Sequence, residues 1–197
     1  MSSLYQLLGR VSAFYWLART QMFDRHFFGG IGRRSRIIQP LQLRNPENIY
    51  IGNHVTIANY AWLLTLPAIK DRIPKLVIGN GCVIGHFNHI TCVNSVELGA
   101  KVLTADRVHI SDNSHSYENP TVAIVDQAVV SKGPVVIGEG TWLGENVSVL
   151  SCRIGRNCVI GANAVVTKDI PDFCVVAGVP GRVIKQFDSK SSTWKRV

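Results

Sequence analysis

Acidic side chains are scarce in this sequence: 13 Asp and Glu stand against 21 Lys and Arg, a formal charge of +8. That balance turns the chain away from cationic partners and towards anionic ones, such as phosphates, nucleic acid or a membrane surface. No CxxC pair occurs, and the five cysteines, Cys82, Cys92, Cys152, Cys158 and Cys174, are odd in number. The pattern argues against a disulfide frame and for reduced, buried thiols in a cytoplasmic protein. No apolar run reaches the roughly 20 residues of a membrane span, since Arg10, Arg19 and Arg25 interrupt the one candidate. The opening MSSLYQLLGR lacks a basic n-region and a small-residue cleavage site, so a secretory signal is not expected. Nor does an aromatic ladder accompany the basic residues, which gather towards the two ends; nucleic acid is therefore not an expected partner. With 197 residues and 46% apolar content, one domain with an ample core is expected.

What the sequence does have is a period of six. Ile31, Ile37, Leu43 and Ile49 are in phase; after a slip of two residues come Ile51, Ile57, Leu63 and Ile69. Ile78, Ile84, Ile90 and Val96 follow, then Leu98, Thr104 and Ile110. The period resumes at Ile137, Leu143 and Val149, and shortens by one residue before Ile154, Ile160 and Val166. Neither a helix, with period 3.6, nor a lone strand, with period two, explains it. A chain that makes a short strand, turns and makes another does, three strands closing one triangular coil with the aliphatic residue inside. Small or β-branched residues such as Val55, Ala61, Cys82, Val102, Cys158 and Ala164 recur four places later, where a narrow corner needs them. Such hexapeptide repeats predict a parallel β-helix, of about six coils at roughly 18 residues each over 31 to 171.

The segments VVIGEGTWLGENVSVL and RIGRNCVIGANAVVTKDIPDFCVVAGVPGRVIK resemble the signature of the hexapeptide-repeat acyltransferases, which include galactoside, serine, xenobiotic and polysaccharide O-acetyltransferases. The resemblance covers about residues 31 to 186. It implies an all-β, left-handed parallel β-helix, although right-handed crossovers are the general preference. It also implies a homotrimer and acetyl-CoA as donor, bound in a groove between adjacent subunits, with no metal.

The longest break in the period, SDNSHSYENPTVAIVDQAVVSKGP over 111 to 134, should protrude from the scaffold, and such excursions commonly carry function. An imidazole suits the removal of a proton from an attacking hydroxyl at neutral pH. From the residues alone His115 is equally readable as a solvated histidine bonded to Asp112; the resemblance makes it the general base. Asn113 and Tyr117 are expected to bind substrate beside it. His89 and His109 share one repeat position and would wall the acceptor cleft, stacking if the extra pair near Val96 bulges outward. For coenzyme A the resemblance points to Trp142, Gly144, Ala162, Thr167 and Lys168 along the pantetheine arm. Arg182 and Lys185 would meet the 3′-phosphate, lysine at 185 giving up the bidentate contact of an arginine. Gly144 and Ala162 would leave room for the cofactor. VLSCRIG replaces a longer Pro-Gly turn of many relatives. Cys158 takes the corner position of its repeat and Cys152 lies in a shortened coil with no histidine nearby in sequence, neither a setting for a reactive thiol. The resemblance implies direct attack in a ternary complex.

Residues 1 to 30 read as an N-terminal amphipathic helical segment, with Leu4, Leu7, Leu8, Val11, Phe14, Tyr15, Ala18 and Met22 at helical spacing over 3 to 28. It is expected either to cap the open first coil or to lie on the inner face of an anionic membrane. Residues 187 to 197 read as a flexible tail. The acceptor favoured by the D-N-S-H-S-Y loop is a sugar or saccharide hydroxyl. Two other readings remain open: a γ-carbonic-anhydrase-like zinc enzyme suggested by His86 and His89, and a non-catalytic β-helix scaffold.

Overall fold

In the computed structural model, which describes residues 2–197 and side chains from residue 6 onward, three parallel sheets wind into a triangular left-handed β-helix. The first sheet stacks Gly30–Ile31, Ile49–Ile51, Lys75–Ile78, Ser95–Leu98, Val135–Ile137 and Arg153–Ile154. The second stacks Arg36–Ile37, Thr56–Ile57, Val83–Ile84, Leu103–Thr104, Trp142–Leu143, Val159–Ile160 and Cys174–Ala177. The third stacks Gln42–Arg44, Trp62–Thr65, His89–Cys92, His109–Ser111, Ser148–Leu150 and Val165–Val166.

Each in-phase residue finds its counterpart one coil away: Ile37 pairs with Ile57, Ile57 with Ile84, Ile110 with Ile90 and Val149. Ile37, Ile57, Ile84, Ile90, Ile110, Ile137, Leu143 and Ile160 are buried, so the sixfold spacing is the core itself. The corner positions Val55, Cys82, Val102, Thr141, Cys158 and Cys174 are buried as well. Thr141 is tolerated there because its Oγ1 donates to Gly155 O at 2.8 Å and accepts from Cys158 N at 3.0 Å, leaving no polar atom unpaired. At other corners the coils approach too closely for any side chain: a Cβ on Gly79 would stand 2.6 Å from the Gly99 carbonyl carbon.

The two-residue slips do not bulge. Val96 and Leu98 both point inward, paired with Leu76 and Ile78, so the extra residues lengthen the strand, and the surplus is taken up at the Val93–Asn94 corner. Ile69 is the exception to the period: it lies in the loop before Lys75–Ile78, half-buried, and Leu76 and Ile78 fill the rung instead.

The N-terminal helix runs over Ser2–Met22, shorter than 3 to 28, and a 3-10 turn at Asp24–His26 carries the chain to Phe28, which is buried in the core. Its last turn covers the first coil. Thr20 Oγ1 accepts from Ile37 N at 3.0 Å, and Gln21 Nε2 donates to Gly32 O and Ser35 O, each at 3.0 Å. Its earlier turns project from the body with Leu7, Leu8, Val11, Phe14 and Tyr15 exposed, while Leu4 lies outside the described side chains. At the other end, residues 187–197 are not a loose tail. Arg182–Asp188 runs antiparallel to Cys174–Ala177, and Thr193–Arg196 pairs with it in turn. Apolar packing explains the order: Phe187 stands 5.5 Å from Trp194 and 6.4 Å from Phe173, ring centre to ring centre.

Candidate active site

The excursion at 111 to 134 leaves the third sheet at Ser111 and folds into an antiparallel ribbon, Asn113–His115 against Val129–Ser131, before the chain rejoins the first sheet at Val135. Asp112 anchors its base. Fully buried, its carboxylate accepts from Val93 N at 2.9 Å, Asn94 N at 2.7 Å and Ser95 N at 2.8 Å, the corner that holds the two surplus residues. The carboxylate is thereby committed to backbone amides and to Asn113 Nδ2 at 3.0 Å, so it is not the partner of His115. Asn113 also donates to Thr91 O at 3.3 Å. His115 stands opposite Val129 on the ribbon with its side chain exposed.

Between the ribbon and the C-terminal coils lies a crevice of ≈ 440 Å³ lined by Asn113, Ser114 and Lys132 on one side and Leu150, Ser151 and Thr167 on the other. Asn113 and Thr167 were legible in the sequence; Ser114, Lys132, Leu150 and Ser151 were not. Ser114 Oγ is inaccessible to solvent and has no hydrogen-bond partner among the described residues, an orphan hydroxyl in the wall of the crevice. Lys132 carries its ammonium 5.7 Å from the ring centre of Tyr117, which keeps Tyr117 on the ribbon but outside the crevice.

His89 and His109 pair in register on the outer face of the third sheet, 5.1 Å between ring centres, with Trp62 at 4.9 Å on the far side of His89. They meet edge to face, with 62° between ring planes, and need no outward bulge near Val96 to do so. His89 Nε2 lies 2.9 Å from Thr91 Oγ1, which links this row to Asn113. Burial lowers the ionisation of both imidazoles, and for His89 the neighbouring charge of His109 lowers it further. The unfolded chain takes up these protons near pH 6.5, the folded chain only at lower pH. Stability should therefore fall as pH drops through about 6.5 until the folded-state rings titrate. The melting temperature is expected to drop between pH 7.5 and 5.5, and to drop less in His89→Gln.

The residues assigned to coenzyme A spread over more than one face. Trp142, 43% exposed, sits on the second sheet between Leu103 and Val159. Arg182 and Lys185 are exposed on the terminal ribbon, Ala162 is exposed at a corner, and Thr167 and Lys168 lie past the third sheet. One chain does not gather them into a single pocket. The fold itself calls for glycine at 144, because a Cβ there would meet Ala162 N on the next coil at 2.7 Å.

All five thiols are free and buried. Burial pushes Cys92 up to about 12 and Cys152 up to about 11, and raises Cys82, Cys158 and Cys174 too. None is a nucleophile at neutral pH. Iodoacetamide at pH 7.5 should leave the native mass unchanged and add five groups only after unfolding, as read by intact-mass spectrometry. Among the described residues no group of three or more His, Cys, Asp or Glu side chains is placed to hold a metal ion.

Residues 134–168 match the family model described as bacterial transferase hexapeptide (six repeats). The chain is 32% identical to a putative lipopolysaccharide biosynthesis O-acetyl transferase, WbbJ, of Escherichia coli K12, over 93% of each protein. The chain belongs to the hexapeptide-repeat acyltransferases. It is 30% identical to the galactoside O-acetyltransferase of the same organism over 77% of this chain and 73% of that one. In fold it matches AntD, an N-acyltransferase from Bacillus cereus solved with dTDP and coenzyme A, with a TM-score of 0.70 at 20% identity over 87% and 90% of the two chains. Its relatives over most of the chain are O-acetyltransferases, and this kinship favours an acetyltransferase over the carbonic-anhydrase and scaffold readings. No helix among the described residues is long and apolar enough to cross a membrane.

Proposed function

We propose that this hexapeptide-repeat acyltransferase moves an acetyl group from acetyl-CoA to a hydroxyl of a sugar or polysaccharide precursor, with His115 as general base. The observation that supports the reading is the ribbon: it is locked at its base by Asp112, carries His115 exposed on its strand beside the crevice rather than in its lining, and walls that crevice with Asn113, Ser114 and Lys132 opposite Thr167. The acceptor oxygen attacks the thioester carbonyl carbon as the imidazole takes its proton. The tetrahedral intermediate then collapses, the carbon–sulfur bond breaks, and the imidazolium returns the proton to the departing thiolate. Asn113 orients the acceptor, and Tyr117, His89 and His109 shape its approach.

The donor assignment completes itself in a homotrimer. A partner subunit set against the second sheet would bring Trp142, Arg182 and Lys185 of one chain to the ribbon of the next. Fixed cations on the terminal ribbon suit the 3′-phosphate. Residues 31–186 would form the catalytic body. Residues 1–30 would both close its first coil, through Thr20 and Gln21, and lay their exposed apolar turns on an anionic membrane where saccharide precursors are carried.

A thiol-release assay with acetyl-CoA and a panel of sugars and sugar nucleotides tests this. Release that depends on the acceptor is expected, with Arg182→Gln and Lys185→Gln each raising KM for acetyl-CoA about tenfold at nearly constant kcat. Absence of acceptor-dependent release across the panel would overturn the reading.

A further inference from the structure

Two columns of large side chains run side by side up the corner between the second and third sheets. Gln39, Tyr60, Phe87, Arg107, Asn146 and Asn163 follow one another up the corner: Tyr60 N donates to Gln39 O, and Phe87, Arg107, Asn146 and Asn163 donate to Asn59, His86, Asp106 and Glu145 O, each just before the corner residue of the coil below. From Tyr60 onward each stands two residues ahead of a position on the third sheet. The neighbouring column holds Gln42, Trp62, His89, His109 and Ser148. In three successive coils the pairs are Tyr60 with Trp62, Phe87 with His89, and Arg107 with His109. Tyr60 stacks on Phe87 at 5.0 Å, and the Arg107 guanidinium lies 5.8 Å over Phe87. Together with the Trp62–His89–His109 row they make a surface about 10 Å tall at one coil per 4.8 Å.

The backbone does not call for aromatic residues here. Tyr60 and Phe87 sit at φ of +64° and +55°, a geometry that other positions meet with residues as different as Arg34, His54, Lys101, Asn146, Asn157 and Asn163. Asparagine enters the left-handed region more readily than a bulky ring. The core does not call for them either, since Phe87 is 48% exposed. The rings instead line a groove of ≈ 240 Å³ with Leu41, Trp62 and His89.

We infer that this surface is a saccharide platform, and that the acceptor is an oligosaccharide or polysaccharide of two or more rings rather than a single sugar. The inference rests on the saccharide acceptor proposed above. A pyranose has an apolar CH face that lies flat on aromatic rings, and hydroxyls at its rim for polar neighbours. Polar groups stand close by: Asn59, next to Tyr60 in the chain, joins Gln39 at 3.4 Å, and His89, which lines the groove, lies 2.9 Å from Thr91 Oγ1. A sugar nucleotide fits less well: Arg107, the cation beside the rings, is already paired with Glu145 at 2.6 Å. The strand that carries His89 also carries Thr91, whose carbonyl accepts from Asn113 Nδ2 at 3.3 Å, so the platform adjoins the foot of the ribbon that bears His115.

The test is binding of the intact protein to a glycan microarray of one to six rings, with free nucleoside diphosphates as competitors. The double variant Tyr60→Asn/Phe87→Asn keeps the corner geometry, and its melting temperature and oligomeric state are measured alongside. Expected is retention of glycans of two or more rings, about tenfold weaker in the variant, with its assembly intact. The inference is overturned by no glycan binding, by equal binding in the variant, by single sugars binding as well as longer chains, or by displacement with nucleoside diphosphates. It is also overturned if the variant alone dissociates, which would make the platform an interface between copies. Acceptor-dependent thiol release on the same samples separates the two proposals: release without platform binding sinks only this one, and platform binding without release sinks only the enzymatic reading.

Discussion

His115→Ala is expected to lower acetyl transfer about 10²- to 10⁴-fold while the melting temperature stays that of the parent. The imidazole is exposed on the ribbon and contributes nothing to the core, so its removal takes away a proton acceptor and little else. KM for acetyl-CoA should hold, because Arg182, Lys185 and Thr167 lie elsewhere on the chain. His115→Gln should fare no better, since an amide keeps a hydrogen bond but cannot carry the proton. Steady-state thiol release on both variants reads the effect, and turnover within a few-fold of the parent would remove His115 from the chemistry.

The second large effect is expected at Asp112, and there stability should fall first. Asp112→Ala strands the amides of Val93, Asn94 and Ser95 in a buried corner. At about 1–3 kcal/mol for each orphaned donor, the loss should reach roughly 3 kcal/mol or more, and a chain of this size should melt roughly 6–12 °C lower. Asp112→Asn should fall between, because it keeps one acceptor oxygen but turns an NH₂ towards amides that need an acceptor. Activity should drop in both variants, since the same carboxylate fixes the foot of the ribbon that bears His115. Thermal denaturation beside turnover distinguishes this pattern from that of His115→Ala, where only turnover changes.

The comparison of these two residues shows what a sequence can reveal. The core ladder was legible because burial repeats with the coil, and Ile57, Ile84 and Ile110 announce themselves by spacing alone. The excursion that carries His115 was legible because the period stops just before it. Asp112 was visible only as a polar neighbour, because its partners are backbone amides on the preceding coil, and amides leave no mark on composition. The Trp62–His89–His109 row was half legible: the two histidines share a repeat position, but Trp62 joins them only when the loop at Leu66–Pro74 is folded out of the count. That the fold itself calls for glycine at 144 was not legible, because a glycine demanded by the chain's own next coil looks, in sequence, like one demanded by a ligand. The order of residues 187–197 was missed because Phe187 and Trp194 lie among polar residues and become apolar partners only once the ribbon has turned back.

The covered ends of the coil stack have a consequence for how the molecule behaves in a crowd. A parallel β-helix is a template that could lengthen indefinitely, each terminal rung inviting a rung from another molecule. Here Thr20 and Gln21 occupy the donors and acceptors of the first coil, and the antiparallel pair at the far end finishes on a strand bearing Lys195 and Arg196. Tip-to-tip joining of copies into filaments is thereby made less favourable.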